Sequence, residues 1–273
     1  MSIQQAIVLG IVEGVTEYLP VSSTGHLTVV GRLLGLGRTA EEKSALDAYT
    51  ICIQAGAIIA VLWISFGRIR RMAVGLVGRD RDGLRLLGNL AIAAIPAGLI
   101  GLLLEGRIKQ YLFGLWPVTA AWLVGGLLIV LLSRMRKGTE GSALESLSWK
   151  HALVIGVAQA IALWPGVSRS LITMVGAILL GLSLPAAVEF SFLLGLVTLG
   201  AATIYEGAKA GPEIIRMFGW VAPAVGLVVA AAAAFVAVKW MIGYLRTRSL
   251  EIFGWYRIVI ALLVAFLVYA RVV

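Results

Sequence analysis

IQQAIVLGIVEGVTEYLPVSSTGHLTVVGRLL, residues Ile3–Leu34, is apolar enough for lipid, yet it carries Glu13, Glu17 and His26 and is interrupted by Pro20, two serines, a threonine and Gly25. The stretch is longer than the ~20 residues of a spanning helix, and Pro20 with the hydroxyl run behind it breaks any single helix in two. A second stretch of the same kind, Ala152–Gly181, breaks at Pro165-Gly-Val-Ser-Arg-Ser170. A charge at the bilayer centre costs roughly 2.5–3.5 kcal/mol on insertion scales, so Glu13, Glu17 and Arg169 oppose burial unless they meet partners. Such a cost marks a site.

The rest of the chain supplies the membrane around these breaks. Of 273 residues, 60% are hydrophobic and 14% charged, where a soluble domain has about 45–50% apolar residues. This composition reads as a single polytopic membrane domain over 1–273 and as no nucleic-acid binder. Six predominantly apolar runs have spanning length: Leu46–Phe66, Leu86–Leu104, Trp116–Leu132, Leu184–Tyr205, Phe218–Trp240 and Phe253–Val268. The net charge of +9 is unevenly spread. Arg68, Arg70, Arg71, Arg79, Arg81 and Arg85 follow the first run; Arg134, Arg136, Lys137 and Lys150 the third; Lys239, Arg246 and Arg248 the fifth. By the positive-inside rule those connections are cytoplasmic, and the loops at Glu105–Leu115 and Glu206–Met217, with both termini, lie outside. The first basic residue is Arg32, so no cleavable signal peptide is expected at the N-terminus. The lone Cys52 forms no internal disulfide and reads as a buried hydrophobe.

The two broken stretches are separated by an odd number of spans. If each enters and returns on one face, the first dips in from outside and the second from the cytoplasm, making inverted repeats of roughly 1–135 and 150–273. At an offset of 146, Gly10 meets Gly156, Glu13 meets Gln159, Tyr18 meets Trp164, Val21 meets Val167 and Ser22 meets Ser168. The expected fold is therefore all-α and integral to the membrane, with six full transmembrane helices plus two re-entrant broken helix pairs whose ends meet near the midplane.

Chemistry follows from what the breaks present. Ser22-Ser23-Thr24 and Ser168-Arg169-Ser170 each read as the N-terminus of a second half-helix, and two such ends aimed at one point offer free N–H donors to an anion. Arg169 adds a permanent charge with a planar fork suited to phosphate; the alternative is that the hydroxyls only cap helices and Arg169 only pairs with Glu189. Glu13 and Glu17, four apart, stack on one helix face and repel. A divalent cation bridging them to phosphate oxygens explains the pair, as do acid/base work or simple interfacial polarity. His26 lies within one turn of Ser23, the spacing of a nucleophile and its base or of an acid for the leaving group. His151, beside Lys150 at a loop edge, reads as structural.

Glu13-Gly-Val-Thr-Glu17, Leu19-Pro-Val-Ser-Ser-Thr-Gly-His26, Leu163-Trp-Pro-Gly-Val-Ser-Arg-Ser170 with Thr173, Glu189-Phe-Ser-Phe-Leu-Leu194 and Trp255-Tyr-Arg257 resemble the motifs of the bacitracin-resistance family of undecaprenyl-diphosphate phosphatases. The resemblance implies hydrolysis of undecaprenyl diphosphate to the monophosphate and phosphate, which recycles the lipid carrier of cell-wall (peptidoglycan) synthesis and bears on cell shape and antibiotic resistance. It implies a multi-pass protein of the bacterial plasma (inner) membrane, in contact with membrane lipid and with room for a homodimer, while the count of spans and charges opens the site to the outer face. By motif position Ser23 is the candidate nucleophile, His26 the acid/base, and Glu17 and Arg169 further catalytic residues. Ser22, Thr24, Ser168, Ser170 and Thr173 form the phosphate-binding set, and Glu13 with Glu17 a site for a divalent cation, Mg or Ca. One departure is visible: many relatives have a proline after the Phe-Ser-Phe-Leu-Leu segment, where this chain has Gly195-Leu196-Val197. Inverted repeats with broken helices also suit a polyprenyl-phosphate transporter or flippase; Ser23 beside His26 is what a carrier would not need.

Overall fold

The computed structural model describes residues 1–135 and 140–272, so Arg136 and Lys137 of the third connection lie outside the described residues. Both broken stretches are pairs of short helices. α1 (Ile3–Thr16) starts at a reciprocal cap, the Ser2 hydroxyl accepting from Gln5 N while Gln5 Oε1 accepts from Ser2 N. It runs out before Pro20, and α2 (Ser23–Leu33) resumes beyond Ser22. At 1.5 Å per residue, 14 and 11 residues reach only about 21 and 17 Å, short of a ~30 Å hydrocarbon core.

Long helices follow. α3 (Ala40–Cys52) and α4 (Gln54–Ile64) join through Ile53 into one 25-residue apolar unit, and α5 (Phe66–Leu76) is a separate amphipathic helix. Sequence periodicity had offered only a basic connection there; the helix presents Arg68 to Glu189 (2.7 Å) and Glu145 (2.5 Å). That contact holds the Glu145 carboxyl below its ordinary range. α6 (Arg81–Leu112) and α7 (Leu115–Met135) complete the first half. The second half opens with α8 (Trp149–Gln159), a 3-10 turn (Ala160–Leu163), the Pro165 break and α9 (Arg169–Leu179), then α10 (Leu184–Phe218), α11 (Val221–Leu245) and α12 (Glu251–Tyr269).

Among the described residues six helices are long and apolar enough to cross a membrane, at Ala40–Ile64, Arg81–Leu104, Leu115–Met135, Leu184–Phe218, Val221–Leu245 and Glu251–Tyr269. Each overlaps one of the six expected runs, so the chain is an all-helical multi-pass membrane protein. Most bounds differ from those of the apolar runs; α10, for instance, continues past Tyr205 to a stop at Gly219, φ +70°.

The short helices lean on long ones in matching fashion: α1 packs chiefly on α11 and α8 chiefly on α6. At both crossings the contact is glycine against backbone. A Cβ on Gly10 would meet the Gly226 carbonyl oxygen, and one on Gly156 the Ala93 carbonyl oxygen. α7 and α12 pack against each other, and from them Trp122 and Arg257 reach the breaks. Trp122 Nε1 donates to the Val21 carbonyl at 2.8 Å. Arg257, 0% exposed, donates to three carbonyls: Pro20 at 3.2 Å, Ala121 at 2.9 Å and Gly166 at 2.8 Å. A buried guanidinium is tolerable only with such partners.

Candidate active site

Two residues turn the chain at the breaks in the same way. Ser22 has φ 71° and ψ 97°, and Ser168, its counterpart at the 146-residue offset, has φ 77° and ψ 113°. Among the described residues the only other non-glycine with positive φ is Arg271 near the C-terminus. Residues held in this region cost on the order of 1–3 kcal/mol and persist where the surroundings over-determine them. Here those surroundings are each other: Gly166 N donates to Ser22 Oγ at 3.1 Å, and Ser170 Oγ donates to the Leu19 carbonyl at 2.9 Å. The two breaks, about 145 residues apart in sequence, form one polar centre.

Glu17 lies at the middle of it. Its Oε2 accepts the hydroxyl proton of Ser23, and its Oε1 accepts from Arg169 Nη2 at 3.0 Å. Arg169 Nη1 donates to the Ser191 carbonyl at 2.9 Å, so the fork is aimed from both ends. Gly195 makes room for it: a Cβ there would sit 2.5 Å from Nη1. α10 runs unbroken through Gly195-Leu196-Val197. Glu189 is not the partner of Arg169; it takes Arg68 through both carboxylate oxygens.

His26 is close to Ser23 in sequence but serves other groups. Nδ1 lies 2.7 Å from the Ser22 carbonyl, which can only accept, so Nδ1 carries the proton. In the neutral ring Nε2 then accepts from the Tyr256 hydroxyl at 2.7 Å. The expected Ser23–His26 hydrogen bond is therefore absent, both ring nitrogens being taken, and the group facing the Ser23 proton is Glu17. Tyr256 stands in the Trp255-Tyr-Arg257 motif, but nothing local tied it to His26, which it approaches from 230 positions away.

The hydroxyls divide. Ser168 Oγ accepts from Leu171 N as a helix cap and lies 2.9 Å from Ser170 Oγ. Thr173 Oγ1 donates within its helix and sits 2.7 Å from Ser191 Oγ. These groups, expected on phosphate, are engaged within the protein and hold the second break in shape. Ser22 caps nothing with its side chain, being used across the breaks, and Thr24 remains half-buried at the start of α2.

Glu13, 0% exposed, has no hydrogen-bond partner on either oxygen, although Glu17 and Ser23 lie beside it. Two unpartnered oxygens next to a second carboxylate are the hard donors that Mg2+ and Ca2+ take, so the residues fit such an ion. No group of three or more His, Cys, Asp or Glu occurs among the described residues, so further ligands would have to come from phosphate oxygens or water.

Residues 6–263 match the family model described as bacitracin resistance protein BacA. The undecaprenyl-diphosphatase of Sorangium cellulosum is 45% identical over 266 residues, covering 96% of this chain and 85% of that one. Those of Nitrosospira multiformis and Deinococcus radiodurans are each 40% identical over 269 residues, covering 98% and 96% of this chain and 96% and 94% of theirs. With the family model spanning nearly the whole sequence and both breaks inside the matched region, the chain belongs to the BacA family of bacitracin resistance proteins.

Proposed function

We propose that this protein hydrolyses undecaprenyl diphosphate to undecaprenyl phosphate and inorganic phosphate, as the names of its relatives state for them. The observation that carries the reading is Glu17 held between the Ser23 hydroxyl and the Arg169 guanidinium, a nucleophile, base and phosphate-charge carrier brought to one point from two breaks. A carrier of polyprenyl phosphate has no use for a hydroxyl held on a carboxylate.

In this mechanism the terminal phosphoryl group lies against Arg169, whose charge offsets what develops on its oxygens. A water held by Ser23, or Ser23 itself, attacks phosphorus while Glu17 takes the proton, and the lipid monophosphate leaves; where Ser23 attacks, water then cleaves the phosphoserine, releasing inorganic phosphate and restoring the hydroxyl. His26, fixed by Ser22 and Tyr256, handles a proton further out. Glu13 and Glu17 would hold the divalent cation, which supplies charge neutralisation on the diphosphate. Phosphate release from undecaprenyl diphosphate by the purified protein tests the whole reading. It should proceed with Mg2+ or Ca2+, stop in excess chelator and return on re-addition; full activity in chelator would remove the cation and leave the carboxylates to acid/base work.

The two broken pairs act here as re-entrant arms of an inverted repeat. The shared positive φ of Ser22 and Ser168 and the matched packing of α1 on α11 and α8 on α6 support this. By the distribution of basic residues the first arm enters from the outer face of the plasma membrane, so the site opens outward. A cysteine at Thr24 in a Cys52→Ser background should react with a membrane-impermeant thiol reagent in intact cells, with one at Gly106 as the outside control. Reaction only after the cytoplasmic face is exposed would overturn the outward opening.

A further inference from the structure

We infer that Tyr18 is a further substrate-binding residue, its phenol and Arg169 Nε together gripping one phosphoryl oxygen; this rests on the diphosphatase reading above. Tyr18 follows Glu17 in the first break, is 0% exposed, and its hydroxyl has no hydrogen-bond partner. A buried phenol almost always finds one. The next unpartnered group is Arg169 Nε, also buried. The two are neighbours: the Arg169 guanidinium carbon lies 5.1 Å from the centroid of the Tyr18 ring. The phenolic oxygen could accept from the guanidinium, yet no hydrogen bond joins them, and the hydroxyl proton and the Nε proton both still need an acceptor. Nη1 and Nη2 each have a partner, Ser191 and Glu17, which leaves Nε as the guanidinium nitrogen without one.

The ring packs in a buried apolar cluster, edge-on against Phe192 with centroids 5.1 Å apart and planes at 80°, and this holds the hydroxyl in place. The other buried phenol without a partner, Tyr49, lies with its hydroxyl against the α11 backbone at Gly226 and faces no cation. An oxygen of the terminal phosphate, negatively charged and without protons to offer, accepts from both Tyr18 and Arg169 Nε. Inorganic phosphate, the product, presents the same oxygen.

Tyr18→Phe keeps the ring and removes only the hydroxyl. A hydrogen bond to a charged group lost in this way lowers kcat/KM roughly 10- to 100-fold. Inhibition by inorganic phosphate should weaken about 10-fold or more, while the thermal midpoint of the phosphate-free protein stays level or rises, since an unpartnered buried hydroxyl has gone. Wild-type turnover in Tyr18→Phe would overturn the inference. So would slower turnover with unchanged phosphate inhibition, which places the hydroxyl's work elsewhere, or failure of the variant to fold, which makes it structural. A wild-type protein that releases no phosphate from undecaprenyl diphosphate removes the diphosphatase reading itself, and this inference with it.

Discussion

Ser23→Ala and Glu17→Gln are each expected to lower hydrolysis on the order of 10³-fold, and the double variant should be no slower than the worse of the two. The reason is the hydrogen bond from the Ser23 hydroxyl to Glu17: a nucleophile and the group that takes its proton lose their function once. His26→Ala sets the contrast. Its ring is bound to the Ser22 carbonyl and the Tyr256 hydroxyl, not to Ser23, so its loss should combine with Ser23→Ala closer to multiplicatively in what activity remains. Initial rates for the three single and two double variants decide the matter. If Ser23 coupled strongly to His26 and not to Glu17, the base assigned here would be the wrong one.

Arg169→Lys is expected to cost at least ~10²-fold in turnover, about 2.7 kcal/mol, with the protein still inserting and purifying. The guanidinium reaches the Ser191 carbonyl with one arm and Glu17 with another, at 2.9 and 3.0 Å. A lysine keeps the charge but cannot hold both while also facing phosphate. The loss should therefore appear in kcat as well as in KM, because Glu17 is loosened together with the phosphate contact. A variant with near-normal kcat would show that positive charge alone suffices at this position.

Much of the architecture was legible because lipid imposes a simple rule, long apolar runs punctuated by charge, and all six spanning helices obey it. The breaks were legible for the same reason, since Pro20 and Pro165 with their serines have no place in a plain span. Less visible was α5, whose apolar positions are too few to stand out beside Arg68, Arg70 and Arg71. Partnerships were the hardest to read. Glu17 was seen as one of a repelling pair, but its bond to Arg169 crosses 152 positions and its hold on Ser23 depends on how the chain bends between them. Local spacing placed His26 one turn from Ser23 and so suggested contact. The side chain instead points toward α12, because Tyr256 and the Ser22 carbonyl offer it both an acceptor and a donor. Likewise, Ser168, Ser170 and Thr173 announced hydroxyls at a helix start without revealing that the fold itself consumes them.

Arg257 belongs to the last helix of the chain, yet it is the residue that holds the carbonyls of Pro20 and Gly166 together with that of Ala121. During synthesis both breaks leave the ribosome well before it does. Until α12 has entered the membrane, the first break and the second have only their direct contacts to keep them in register, the Gly166–Ser22 and Ser170–Leu19 hydrogen bonds and the Arg169–Glu17 ion pair. Catalytic competence thus arrives with the final segment to be made, and a chain cut short before Arg257 would carry every proposed catalytic residue and still lack the latch that brings them together.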